Sequence, residues 1–141
     1  MKEGYKKPNL ESKYFDELFE SLPSLEDKTV LITGTTTGTG FTAAEACGKL
    51  GAKVVLLNRP SERAKTSFEK LKETTSNGSF YPIDCDLQSF ASVRDCIPKI
   101  NELCPEGIDV LCNNAGVMAL EDMPTDDGYD IQMQTNHLSH F

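Results

Sequence analysis

Thr29-Val-Leu-Ile-Thr-Gly-Thr-Thr-Thr-Gly-Thr-Gly40 is the stretch on which the fold turns. Its first five residues are a short β-branched and aliphatic run, which suits a strand buried on both faces. Glycines follow at 34, 38 and 40, and then an alanine-containing segment, residues 41–50, reads as a helix that Gly51 stops. A glycine pattern becomes informative when a strand precedes it and a helix follows. In that setting Gly34 supplies a tight turn, Gly38 leaves the backbone bare where a diphosphate would otherwise collide, and Gly40 lets the helix sit close to the sheet. The free N–H groups and the positive helix end then favour an anion on the loop that includes Thr39, and Thr35, Thr36 and Thr37 can add hydroxyl donors for a further phosphate. The plainer alternative is an ordinary glycine-rich βα turn.

Downstream, the same alternation repeats. Lys53-Val-Val-Leu-Leu57 is a second strand, and residues 61–73 form a second helix with Ser61 as its N-cap. Asn77-Gly78 turns the chain into a third strand, Phe80-Tyr-Pro-Ile83. Residues 89–103 are a third helix that Pro98 is expected to kink or shorten. Ile108-Asp-Val-Leu-Cys112 is the fourth strand, and another helix is expected over residues 127–141. Strands separated by helices of this length imply right-handed βαβ units. The expected class is α/β, a doubly wound parallel sheet of Rossmann type, incomplete, with about four parallel strands.

Ahead of the domain at 27–141, residues 1–26 stand apart. Tyr14, Phe15, Leu18, Phe19 and Leu22 recur at helical spacing among acidic neighbours. An amphipathic helix packed on the domain surface fits them better than a membrane anchor, whose polar face is normally basic. The N-terminal segment has no apolar core of the signal-peptide kind, so a cytoplasmic location is the expectation, with an organelle still open.

The net charge of −8 opposes binding to nucleic acid, which needs clustered Lys and Arg. It does not oppose a local anion site made by backbone amides and one Arg. No run reaches membrane-spanning length. The five cysteines, Cys47, Cys85, Cys96, Cys104 and Cys112, have neither an even count nor metal-ligand spacing, and read as free thiols; no metal site is expected.

Thr33-Gly-Thr-Thr-Thr-Gly-Thr-Gly40 has the form T-G-x-x-x-G-x-G, and here the sequence resembles the short-chain dehydrogenase/reductase family. Asn113-Asn-Ala-Gly116 after the fourth strand and Asp86-Leu87 after the third match in the right order. Thr135-Asn-His-Leu-Ser-His-Phe141 resembles the T-N-H-L-G-H-F segment of retinol-dehydrogenase-like and related reductases. The resemblance spans residues 28–141. It implies that Asp86 and Leu87 meet the adenine, that Asn114, Ala115 and Gly116 help hold the cofactor, and that Asn136 is the member of the catalytic tetrad that keeps a water for proton relay. Asn114 and Asn136 have a structural alternative as partners of nearby backbone. His137 and His140 read as surface or packing residues.

NAD-selective relatives end the second strand on a carboxylate. Asn58 stands there instead, followed by Arg59, whose fork suits a 2′-phosphate; the expected cofactor is NADP, although Arg59 before Pro60 also reads as a solvated charge. The resemblance further implies a serine and a Tyr-x-x-x-Lys. Tyr5, Tyr14, Tyr81 and Tyr129 are followed four residues later by Asn9, Leu18, Cys85 and Met133, so this chain contains no such pair. The expectation is a chain silent in catalysis by itself, from a parent that moves hydride between NADPH and a lipophilic carbonyl or alcohol. The alternative is a non-catalytic module that binds NADPH or a partner. Homo-oligomerisation stays open.

Overall fold

The computed structural model describes residues 14–75 and 78–141. The elements run α1 (Phe15–Glu20), β1 (Thr29–Thr33), α2 (Gly38–Lys49), β2 (Lys53–Asn58), α3 (Glu62–Thr74), β3 (Ser79–Asp84), α4 (Phe90–Leu103), β4 (Val110–Cys112) and α5 (Ile131–Asn136), closing on a 3₁₀ turn, Leu138–His140. The four strands form one parallel sheet in the order β3-β2-β1-β4. Successive strands step outward from β1 to β3 and then cross to the other side of β1 for β4. That reversal opens a crevice at the carboxyl ends of β1 and β4, where doubly wound sheets hold their ligands.

Both faces of β1 and β2 are covered. Val30, Ile32, Val54 and Leu56 point to the side of α2 and α3, where they pack with Ala44 and Leu71. Leu31, Val55 and Leu57 point the other way, toward Cys96 on α4 and toward Ile83, Cys85 and Leu87. This explains why the central strands read as continuous apolar runs and not as alternating ones. Gly48 belongs to the first face for a spatial reason, since a Cβ there would lie 2.3 Å from the Phe80 ring.

Several boundaries differ from the sequence reading. Helix α2 starts three residues early, so Gly38 and Gly40 lie in its first turn and not in a loop before it. Ser61 does cap α3, accepting from the Ala64 amide at 3.1 Å. Pro98 sits inside α4, which continues to Leu103, so the expected shortening does not occur. β4 is only three residues long.

The helix expected over 127–141 is replaced by shorter pieces. Gly128 takes φ +85, and a bridge joins Pro124 to Asp130. Asp130 then caps α5, accepting from the amides of Gln132 and Met133. His137 leaves the helical region with φ −131 and ψ −66, which separates α5 from the 3₁₀ turn.

The amphipathic segment also departs from expectation. Residues 1–13 of the proposed 1–26 extension lie outside the described residues, as do Ser76 and Asn77 of the expected turn. Helix α1 buries none of its residues, and Tyr14, Phe15, Leu18 and Leu22 are exposed, so the packing on the domain surface is not found. Phe15 and Phe19 stack on each other at 5.9 Å instead. Among the described residues no helix is long and apolar enough to cross a membrane.

Candidate functional site

The crevice contains a cavity of about 420 Å³, a size typical of small-molecule sites. It is lined by Gly34 and Thr36 after β1, Asn58 and Arg59 at the end of β2, Asp86 and Leu87 after β3, and Ala115 and Gly116 after β4. Eight sequence-proposed residues therefore meet in one place, although four separate loops carry them.

The glycines divide the work geometrically. Gly34 has φ +72, and a Cβ there would lie 2.8 Å from Ala115, so the turn must be bare for β1 and β4 to close up. At Gly40 a Cβ would reach the Gly34 carbonyl at 2.3 Å and the Asn114 amide at 2.4 Å. Gly38 differs. It has φ +62, with open space where a side chain would stand. Open space above a helix N-terminus is what an anion needs.

Asn58 and Thr35 turn toward each other. The Thr35 amide donates to Asn58 Oδ1 at 2.8 Å, and Asn58 Nδ2 donates to Thr35 Oγ1 at 2.8 Å. Thr35 is wholly buried, so its hydroxyl braces the loop from below and does not join Thr36 in lining the cavity. Thr37 and Gly38 line an adjoining depression, and Thr39 lines neither.

Asn114 holds the two central strands together. Its Nδ2 donates to the carbonyls of Thr33 at 2.9 Å and Gly34 at 3.1 Å. Thr33 Oγ1 accepts from the amides of Asn114 at 3.0 Å and Ala115 at 2.9 Å. With both acceptor positions used, the Thr33 hydroxyl hydrogen is left for His140 Nε2, 2.9 Å away. That network assigns the proton of a neutral His140 to Nδ1, which faces the Asn136 carbonyl at 3.4 Å. His140, read from sequence as surface or packing, is a partner of the central turn.

Asn136 does not line the cavity. Its side chain pairs in both directions with the Val117 backbone, accepting at 2.7 Å and donating at 2.8 Å. Its main-chain carbonyl, at the end of α5, is faced by His140 Nδ1 at 3.4 Å.

Asp86 keeps one carboxylate oxygen on the Gln88 amide at 2.9 Å, while its own amide donates to Ser92 Oγ. Behind Leu87, Ser139 Oγ donates to the Leu87 carbonyl at 2.6 Å, so the serine at the glycine position of the T-N-H-L-G-H-F pattern braces this side of the cavity.

Sequence reasoning missed Arg63, Thr135 and Cys85, which also line the cavity. Arg63 had a signal, since it is a second arginine four residues after Arg59 in the same β2–α3 segment. The Thr135 hydroxyl is buried and finds no partner among the described residues. Cys85 is no nucleophile: burial and the neighbouring Cys96 thiol push it up to about 12.

The short chain dehydrogenase family matches residues 28–141. The chain is 35% identical over 121 residues to human retinol dehydrogenase 13, covering 86% of this chain and 36% of that protein. It is 34% identical to human polyprenol dehydrogenase, covering 84% and 36%. The Pseudomonas aeruginosa RhlG/NADP active-site complex superposes with a TM-score of 0.66 at 32% identity, over 82% of this chain and 44% of that one. The chain thus spans little more than a third of the length of these curated relatives. It belongs to the short chain dehydrogenase family.

Proposed function

We propose that the chain holds NADP(H) in this cavity, as the cofactor-binding part of an oxidoreductase that moves hydride between a nicotinamide and a lipophilic alcohol or carbonyl. The observation that carries the proposal is the shape of the glycine turn. Gly38 opens α2 with φ +62 and open space where a side chain would stand, in a depression that adjoins the four-loop cavity and shares Thr36 and Arg63 with it. A diphosphate placed there meets N–H donors and a helix dipole without a side chain in the way.

The rest of the donor set suits a dinucleotide. Asp86 has a carboxylate oxygen not taken by the Gln88 amide, able to accept from an adenine amine. Thr135 also lines the cavity, and its buried hydroxyl has no partner among the described residues. At the ribose end, Asn58 in place of a carboxylate removes repulsion, and Arg59 supplies positive charge beside it. The NADP in the RhlG complex supports the same choice. When bound, the nicotinamide supplies the hydride acceptor or donor. Asn136 acts as a positioning residue, its carbonyl held by the Val117 pairing to orient a water for proton relay. The likeness to retinol and polyprenol dehydrogenases supports a lipophilic substrate. No tyrosine of these 141 residues has a lysine four residues on, so the chain alone binds and does not reduce.

The test is a titration of the chain with NADP⁺ and NAD⁺ followed by calorimetry. NADP⁺ is expected to bind at least about tenfold tighter, the worth of one charge-assisted pair. Arg59→Asp is expected to move the preference toward NAD⁺. Equal affinities for the two nucleotides in the unaltered chain would contradict the choice of cofactor, and binding of neither would contradict the site.

A further inference from the structure

We infer that His140 is a positioning residue for the cofactor. Held as its Nδ1–H tautomer, it locks the Thr33 hydroxyl as a double acceptor and so fixes the Ala115–Gly116 side of the cavity. The inference rests on the proposed NADP(H) site and names a residue that sets the shape of that site without lining it.

His140 reaches its place because α5 stops. His137 leaves the helical region, and residues 138–140 continue as the 3₁₀ turn. Ser139, 8% exposed, pins that turn by donating to the Leu87 carbonyl at 2.6 Å. The next residue then sets its ring against the end of β1, 107 positions back in the chain, with Nε2 2.9 Å from Thr33 Oγ1.

Counting hydrogens assigns the tautomer. Thr33 is 3% exposed, so water does not complete its bonding. A hydroxyl has one hydrogen and two lone pairs. The amides of Asn114 and Ala115 occupy both lone pairs, at 3.0 and 2.9 Å. The hydrogen therefore goes to Nε2, which must be bare, and the ring hydrogen sits on Nδ1, facing the Asn136 carbonyl at 3.4 Å. An unrestrained neutral imidazole favours the opposite form; here the partners of the two nitrogens select this one.

Loss of that acceptor reaches the cavity in two steps. The Thr33 hydroxyl hydrogen, left without a partner in the interior, swings toward the amides that the oxygen now serves. The Ala115 amide depends on Thr33 alone among the described residues, whereas the Asn114 amide also has the Cys112 carbonyl at 3.0 Å. Ala115 in turn closes against Gly34, where an added Cβ would lie 2.8 Å from it, so both sides of the β1–β4 crevice shift together. The Asn136 carbonyl, which keeps a second lone pair for a relay water, is tied to the same ring.

The experiment reads the ring and the cofactor separately on the 141-residue chain, which has two histidines to assign by nitrogen-15 NMR. At about pH 8, above the ordinary imidazole range, His140 should show a protonated Nδ1 and a bare Nε2. His137, whose ring meets only Phe141, should favour the opposite form. Two substitutions then separate the nitrogens. Glutamine places an amide oxygen where Nε2 stands, and asparagine reaches only as far as Nδ1. In calorimetry with NADP⁺, His140→Gln should stay within about twofold of the unaltered chain, while His140→Asn should bind about fivefold or more weakly, the worth of one hydrogen bond. The Ala115 amide proton should move upfield in His140→Asn and hold its place in His140→Gln.

An Nε2–H tautomer of His140 in the unaltered chain would overturn the inference and leave the NADP(H) reading standing. Two variants that bind NADP⁺ alike would overturn it as well, because the ring would then only fill space. A chain that binds no NADP⁺ contradicts the NADP(H) reading itself, and with it the cofactor role of His140, whichever tautomer is seen.

Discussion

Thr33 is buried at the end of β1, and its hydroxyl serves three partners at once: the amides of Asn114 and Ala115 and the ring of His140. Thr33→Val keeps the shape but leaves the Ala115 amide without its acceptor, while the Asn114 amide keeps the Cys112 carbonyl at 3.0 Å. Urea unfolding should show a loss of about 1–3 kcal/mol, the cost of one unsatisfied donor. A smaller effect than about 1 kcal/mol would mean that the network is not satisfied as described. Gly38 is the opposite case, a position with space but a left-handed backbone. Gly38→Val should lower stability by about 1–3 kcal/mol through strain and should also abolish NADP⁺ binding in calorimetry. Retained affinity would place the diphosphate elsewhere. The glycines were readable from sequence by their spacing between a strand and a helix, although what Gly34 and Gly40 make room for, Ala115 and Asn114, lies far along the chain. Thr35 and Asn58 were not, because their pairing joins residues 23 apart across two parallel strands, and a hydroxyl turned inward looks the same in sequence as one turned outward.

At the scale of elements, two carboxylates tie the frame together from outside. Asp109 accepts from the Thr29 amide at 2.8 Å and pairs with Lys28 at 2.9 Å, fixing where β4 meets β1. Asp127 accepts from the Phe90 amide at 2.8 Å and the Gln134 side chain at 2.6 Å, joining the start of α4 to α5. The Thr29 amide first, and Lys28 with it, hold Asp109 below the usual carboxylate range; the Phe90 amide and then Gln134 do the same for Asp127. Groups with depressed folded values contribute stability that is present above the unfolded value and lost as pH falls through the folded one. Thermal midpoints should therefore be level near neutrality and fall below about pH 4. Asp109→Asn and Asp127→Asn should each flatten that acid limb; an unchanged limb in the double variant would refute the assignment. The alternation of strand and helix was legible from periodicity. The break of the last helix at His137 and the early start of α2 were not, because Asp130, Gly128 and the Thr37 cap end those elements by local geometry that apolar spacing does not record.

Over the whole molecule, burial is lopsided. β2 is covered on both faces, whereas Val110 and Leu111 of β4 are 47% and 52% exposed, and Met118, Met133 and Phe141 are exposed as well. A parallel strand with an open edge and apolar side chains in water is a pairing surface. The 141-residue chain alone should bind a hydrophobic dye and self-associate at micromolar concentration in sedimentation velocity. Leu111→Lys should reduce both; a monodisperse monomer of the unaltered chain at those concentrations would contradict this. The α/β class and the parallel strands followed from strand and helix alternation, and the fourth strand was expected to leave an apolar edge uncovered; its place beside β1 is a property of the assembled sheet.

The central claim is that a dinucleotide diphosphate lies on the amides opening α2, and the most direct measurement is an amide NMR spectrum of the chain titrated with NADP⁺. The account expects the largest shifts at the amides of Gly38, Thr39 and Gly40, with smaller ones at Leu87 and Gly116. Saturable binding that leaves the Gly38–Gly40 amides unmoved would contradict it.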